Sequence, residues 1–207
     1  MHYYNSIGPN PRVVNMFLHE KGVELPTTQI DLMGGENRQD KYLSEVSPAG
    51  QCPALALDGG QVLTEITAIC EYLEEQNPTP VLIGSTPEER GETRMWTRRV
   101  DLGVCEPLAN GFRFSQGFEL FKDRLLCRPE AADGLKAMAQ DRLQWVDTQL
   151  EGKEYLAGDR FSLADILLYA FLDFGAQVGQ PLAEGNANVN AWFERVGSRQ
   201  SAQATAG

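Results

Sequence analysis

Two short segments carry residue types that could do chemistry together. They are Ser47-Pro48-Ala49-Gly50-Gln51-Cys52-Pro53-Ala54-Leu55 and, beginning ten residues after Leu55, Glu65-Ile66-Thr67-Ala68-Ile69-Cys70-Glu71-Tyr72-Leu73. A proline that opens a strand is either an edge-strand device or, in a tight turn, a cis residue that turns the N–H and C=O of the preceding residue outward. In the second case the backbone of Cys52 can pair with an extended peptide. Glu65 sits where a strand runs into a helix, so its carboxylate and the free N–H groups of that helix could grip the two charges of an amino-acid head group. Taken singly, each feature is equally consistent with a structural role. Cys52, Cys70, Cys105 and Cys127 are scattered, without the CxxC spacing of a zinc site or a dithiol centre, and read as reduced thiols. His2 and His19 have no metal-ligand partner at useful spacing, so no metal site is expected.

The elements that must position these residues are read from hydrophobic period and turn residues. Tyr3-Tyr4 leads into a Gly8-Pro9-Asn10-Pro11 turn, after which Val13, Val14, Phe17 and Leu18 recur at helical spacing until Gly22. Residues 27–32 alternate as a second strand and Gly34-Gly35 breaks it. Residues 54–57, Asp58-Gly59-Gly60 and residues 61–63 then form a hairpin, and a helix follows over 67–75. The order is βαβ, then ββα. Beyond Asn77-Pro78-Thr79-Pro80 the period becomes helical throughout. Pro87 starts a long helix carrying Trp96, Val100 and Val104, a second spans 130–150, and a third begins at Ser162. Ser162-Leu163-Ala164-Asp165 reads as a capping box with Phe161 and Ile166 as its hydrophobic staple, so Ser162 and Asp165 are folding residues worth about 1 kcal/mol. Residues 201–207 read as a frayed tail. The fold class is therefore α/β plus α, with a domain over 1–77, a linker over 78–86 and an all-helical domain over 87–207.

Composition sets the outer limits. The 207 residues carry 18 Lys+Arg against 29 Asp+Glu, a net charge of −11, with no basic run, which argues against a nucleic-acid partner. The longest apolar run, residues 166–172, is seven residues, whereas a membrane-spanning helix needs about 20. The first residues lack the charged start and apolar stretch of a secretion signal, so a cytoplasmic location is expected.

In combination the two segments resemble the glutathione-binding half of the cytosolic glutathione transferases. That family carries Asn/Ser-Pro-x-Gly-x-x-Pro-x-Leu followed by Glu-Ser/Ile/Cys-x-Ala-Ile-x-x-Tyr-Leu, and both occur here at the family's separation. The Gly8-Pro9-Asn10-Pro11-Arg12 turn, Gly35-Glu36-Asn37-Arg38, and the cap at Gly158-Asp159-Arg160-Phe161-Ser162-Leu163-Ala164-Asp165 extend the likeness over nearly the whole chain. The resemblance implies a thioredoxin-like first domain with cis Pro53, a homodimer, and glutathione as co-substrate for attack on a small electrophile. It implies that Cys52 offers its backbone to the cysteinyl part of glutathione, that Glu65 and the N–H of Ile66 hold the γ-glutamyl head, and that Gln51 and Asn37 reach the glycyl carboxylate.

Catalysis in this family lowers the thiol pKa of glutathione from about 8.5, and a fall of about two corresponds to about 2.7 kcal/mol, the worth of one or two well-aimed donors. The position of the usual first-turn serine is Gly8, so the expected hydroxyl is missing, and Ile66 replaces the Ser that commonly follows the glutamate. Three donors could replace the hydroxyl: the Asn10 amide at a helix start, where nu-class relatives resemble this chain at Pro-Asn; Ser6; or a bound water, as in a fungal branch of the family without a catalytic Ser or Tyr. Arg12 is expected to tie the domains together. Family members place the second substrate between the Gly8 turn and the helical domain and line that pocket at the positions of Phe112, Arg113, Phe114 and Ser115, where the aromatic side chains suit an apolar electrophile. Two other activities stay open beside conjugation: glutathione-dependent disulfide reduction, and ligand binding without catalysis.

Overall fold

The Tyr3-Tyr4 run lies in the second of four strands, and the anticipated βαβ-ββα order is present in the computed structural model, which describes residues 1–206. β1 (His2–Asn5) is followed by α1 (Pro9–Lys21), β2 (Thr27–Gln29), a 3-10 turn at Glu36–Arg38, α2 (Asp40–Glu45), the hairpin of β3 (Ala54–Ala56) and β4 (Val62–Leu63), and α3 (Ile66–Gln76). Sheet order is β2-β1-β3-β4, with β1 parallel to β2 and antiparallel to β3, and β4 antiparallel to β3. This is the thioredoxin-like arrangement. Val13, Val14, Phe17 and Leu18 are buried as their spacing requires, and α1 packs on α3, whose Ile69, Cys70 and Leu73 are buried in turn. α1 stops at Gly22, whose φ of 62° is left-handed and whose N–H bonds the His19 and Leu18 carbonyls. α2 has no counterpart in the sequence reading: a six-residue helix with one buried residue, Tyr42, leaves no periodic signal.

The helical region begins with α4 (Pro87–Val100), capped by Thr86, whose side chain accepts from the Glu89 N–H. The single long helix expected here is interrupted by a π-helical turn at Asp101–Cys105 before α5 (Glu106–Arg113). α6 (Phe118–Phe121), a 3-10 turn at Pro129–Ala131, α7 (Ala132–Gln149), α8 (Leu163–Gln177) and α9 (Ala187–Gly197) follow. The capping box at Ser162 and Asp165 is present, and Asp165 does more than cap. Fully buried, it accepts from the Ser162 N–H and hydroxyl, the Leu156 N–H and the Trp192 indole at 2.9–3.0 Å, joining the loop before α8 to α9. Burial pushes its carboxyl pKa up while these four bonds oppose the rise.

Two compact units result: Met1–Val81 together with the residues from Gln200 on, and Leu82–Arg199. The tail expected to fray is instead a helix, α10 (Gln200–Ala204), with Ser201 and Ala202 buried. It packs on α1. Arg12 donates to the Ala202 carbonyl at 3.3 Å and Ser201 donates to Glu20, which is why a short Ala/Ser-rich segment is ordered there. Arg12 thus holds α10 within the first unit. Among the described residues no helix is long and apolar enough to cross a membrane.

Candidate functional site

Strand register brings four chain segments to one end of the sheet. Leu55 pairs with Leu63 and Ala56 with Val62, so continuing the antiparallel register sets Pro53 opposite Glu65. Tyr4 pairs with Ala54, so the chain leaving β1 at Ser6 runs beside Cys52. Asn5 pairs with Gln29 in parallel, and the Ile30 N–H bonds the Asn5 carbonyl at 2.9 Å, so the connection holding Asn37 starts at the same end. With strands about 4.8 Å apart, the three openings after β1, before β3 and after β4 span about 10 Å, the length of an extended tripeptide.

Each opening presents backbone donors that the protein leaves unspent. The Cys52-Pro53 bond is cis, as expected, and the Cys52 N–H has no partner among the described residues. At α3 the N–H groups of Ile66, Thr67 and Ala68 precede the first intrahelical bond, from the Ile69 N–H to the Glu65 carbonyl at 3.0 Å. Glu65 itself is exposed and has φ of 68°, the sole non-glycine residue with positive φ among the described residues. A bulky residue held in that region costs about 1–3 kcal/mol and points to function at the site. At α1, Pro9 and Pro11 have no N–H and the Arg12 N–H bonds the Gly8 carbonyl, which leaves the Asn10 N–H as the free backbone donor of the first turn. The half-buried Asn10 side-chain amide likewise has no protein partner among the described residues.

Other candidate residues are already committed. Ser6 is buried and donates its hydroxyl to the Ile30 carbonyl at 3.0 Å, so its proton is directed into the sheet and not toward the opening. Asn37 is 2% exposed and its amide holds the Gly50 carbonyl at 2.5 Å, so it shapes the loop before Cys52 and does not face outward. Gln51 is exposed. The Cys52 side chain turns the other way, into the apolar cluster of Ile30, Tyr42, Val46 and Ala54, and touches the Tyr42 hydroxyl at 3.0 Å. Burial pushes the Cys52 thiol pKa up, against the lowering by the Tyr42 bond, and Cys70 and Cys105 are raised further by complete burial. None of these three thiols is poised as a nucleophile. Gly8 is exposed with φ of 107°, a conformation glycine alone adopts readily, so the position cannot take the family's serine without strain.

In the helical unit, Phe112 sits edge-on to Phe174 and Phe121 at 5.1 and 6.2 Å. Arg113 bonds Asn110 and lies over the Phe121 ring, and the Ser115 hydroxyl donates to the Gly111 carbonyl. Phe114 is half-buried without a ring partner among the described residues. Tyr42 and Arg38 are site-shaping residues that the sequence reading missed. The pair Tyr42-Leu43 amid the otherwise polar residues of 36–45 is the available signal.

Comparison with known proteins identifies the family. Residues 7–76 match the family model described as glutathione S-transferase, N-terminal domain, and residues 128–200 the one described as glutathione S-transferase, C-terminal domain. The chain is 32% identical to glutathione S-transferase 2 of Saccharomyces cerevisiae, over 96% of this chain and 86% of that protein. It is also 32% identical to glutathione S-transferase F10 of Arabidopsis thaliana, over 88% of this chain and 85% of that one. The crystal structure of Gtt2 from Saccharomyces cerevisiae superposes with a TM-score of 0.92 at 32% identity, covering all of both chains.

Proposed function

The chain belongs to the glutathione S-transferase family, and from that premise we propose that it joins the thiolate of glutathione to an electrophilic, partly apolar small molecule. The observation that carries the reading is the set of unspent donors on three adjacent openings of one sheet, at Asn10, Cys52 and Ile66, spaced for an extended tripeptide. The Cys52 backbone pairs with the cysteinyl residue. The exposed Glu65 carboxylate takes the γ-glutamyl ammonium, and the Ile66 N–H at the head of α3 takes the carboxylate beside it. Gln51 reaches the glycyl carboxylate, while Asn37 acts through the Gly50 carbonyl it holds.

Asn10 donates from its side-chain amide to the sulfur, reinforced by the partial positive charge at the start of α1. Its amide stabilises thiolate over thiol, the thiol proton passes to solvent, and the sulfur attacks. With a chloroarene the C–S bond forms, the C–Cl bond breaks and chloride leaves with the electron pair. Ser6 is a weaker alternative, because its proton is spent on Ile30, and a site-held water is the remaining one. Phe112, Arg113, Phe114, Ser115 and Gly8 are candidates for contact with the electrophile, of which Phe114 has the least committed side chain. We place the protein in the cytoplasm as a homodimer. Exposed Met95, Leu102 and Met138 around a groove of about 820 Å³ in the helical unit support self-association.

Retention on glutathione-agarose, followed by turnover of chlorodinitrobenzene and of hydroxyethyl disulfide, tests the reading. Conjugation of chlorodinitrobenzene is expected. Turnover of the disulfide alone would make the protein a reductase, binding with neither activity a ligand carrier, and failure to bind would overturn the site.

A further inference from the structure

Three consecutive carbonyls ahead of the cis proline are each taken by a side chain from the segment before or within α2. Arg38 reaches Ala49 at 3.4 Å, Asn37 reaches Gly50 at 2.5 Å, and the Tyr42 hydroxyl reaches Gln51 at 2.8 Å. The Gln51-Cys52 peptide is trans, the cis bond being the next one, so its C=O and N–H point in opposite directions. Drawing the Gln51 carbonyl toward Tyr42, a buried residue of the apolar cluster, therefore turns the Cys52 N–H away from that cluster, on the side where it has no protein partner. The same hydroxyl also touches the Cys52 sulfur at 3.0 Å, fixing both ends of the residue whose backbone the ligand would meet.

We propose that Tyr42 is the positioning residue of the cysteinyl subsite: its hydroxyl sets the Gln51-Cys52 peptide plane so that the Cys52 N–H is aimed at the main chain of the bound tripeptide. The proposal rests on the glutathione reading above and adds to it a residue on a different element, one that itself touches no ligand. Without the phenol oxygen the Gln51 carbonyl loses its buried donor, and the peptide is free to rotate away from the orientation that binding requires.

Tyr42→Phe removes that oxygen and keeps the ring in the cluster. The expected result is a rise of about fivefold in KM for glutathione and in the Kd of S-methylglutathione by calorimetry, the worth of one oriented hydrogen bond. The value of kcat at saturating glutathione should stay within about twofold, because a subsite for the main chain acts on binding and not on the thiolate. A purely structural tyrosine would lower the thermal midpoint and leave Kd alone, and an unchanged Kd in folded Tyr42→Phe overturns the proposal. A second measurement needs no variant: amide hydrogen exchange at Cys52 in the wild-type protein should slow at least about tenfold on adding saturating S-methylglutathione. Exchange unaltered while the ligand binds also overturns it. Wild-type protein that binds no glutathione at all refutes the underlying function, an outcome distinct from either.

Discussion

At the scale of single residues, the proposal is that the first turn of α1 replaces a hydroxyl with an amide. Gly8 has φ of 107° and open space around the position of a Cβ, so a substitution there is penalised by the backbone alone. Gly8→Ser should lower stability to urea by about 1–3 kcal/mol and should not raise the rate, although it supplies the family's usual residue. Asn10 offers two donors at one helix start. Asn10→Ala should reduce kcat at least about tenfold, equivalent to about 1.4 kcal/mol, with KM for glutathione within about twofold. Asn10→Asp should be slower still, since a carboxylate beside the sulfur favours the protonated thiol. A wild-type rate in Asn10→Ala would move the role to a bound water.

Among the elements, the junction at α8 is where a local signal understated its consequence. The capping box is legible from Ser162 and Asp165, but local spacing shows only a single cap. Four donors converge on the Asp165 carboxylate, one of them the Trp192 indole of α9. Asp165→Ala should therefore cost about 3–5 kcal/mol, well beyond a cap, as measured by denaturant unfolding. The contrast explains what could be read in advance. β1, α1, the β3–β4 hairpin and α3 have marks in local period or turn residues, and the cis Pro53 is implied by the family resemblance. α2 and α10 do not, because each is too short for a period and is held by tertiary bonds: α2 by Tyr42 in its cluster, α10 by Arg12 and Glu20. The site divided the same way. The backbone donors at Cys52 and Ile66 are what the resemblance to the glutathione transferases implies, whereas the inward commitment of Ser6 and Asn37 depends on partners 24 and 13 residues away.

The molecule as a whole carries a charge of −11, yet its proposed ligand is a net anion at neutral pH. Long-range attraction cannot supply the binding, so it must come from donors within a few ångströms, where salt screens least. KM for glutathione should accordingly stay flat or fall as salt rises from about 0.05 to about 0.5 M, and a steep rise would reveal a steering field that the composition does not provide. With the Cys52, Cys70 and Cys105 thiols raised by burial and the Cys127 sulfur on the Arg113 carbonyl at 3.8 Å, the proposed reactive sulfur is the one that glutathione brings. That claim is tested most directly by titrating the ultraviolet absorption of the thiolate in the complex of the wild-type protein with glutathione. The bound thiol should titrate near or below about 7, against about 8.5 for a free thiol, and at least about one higher in Asn10→Ala. A bound thiol that titrates as it does in free solution would contradict it.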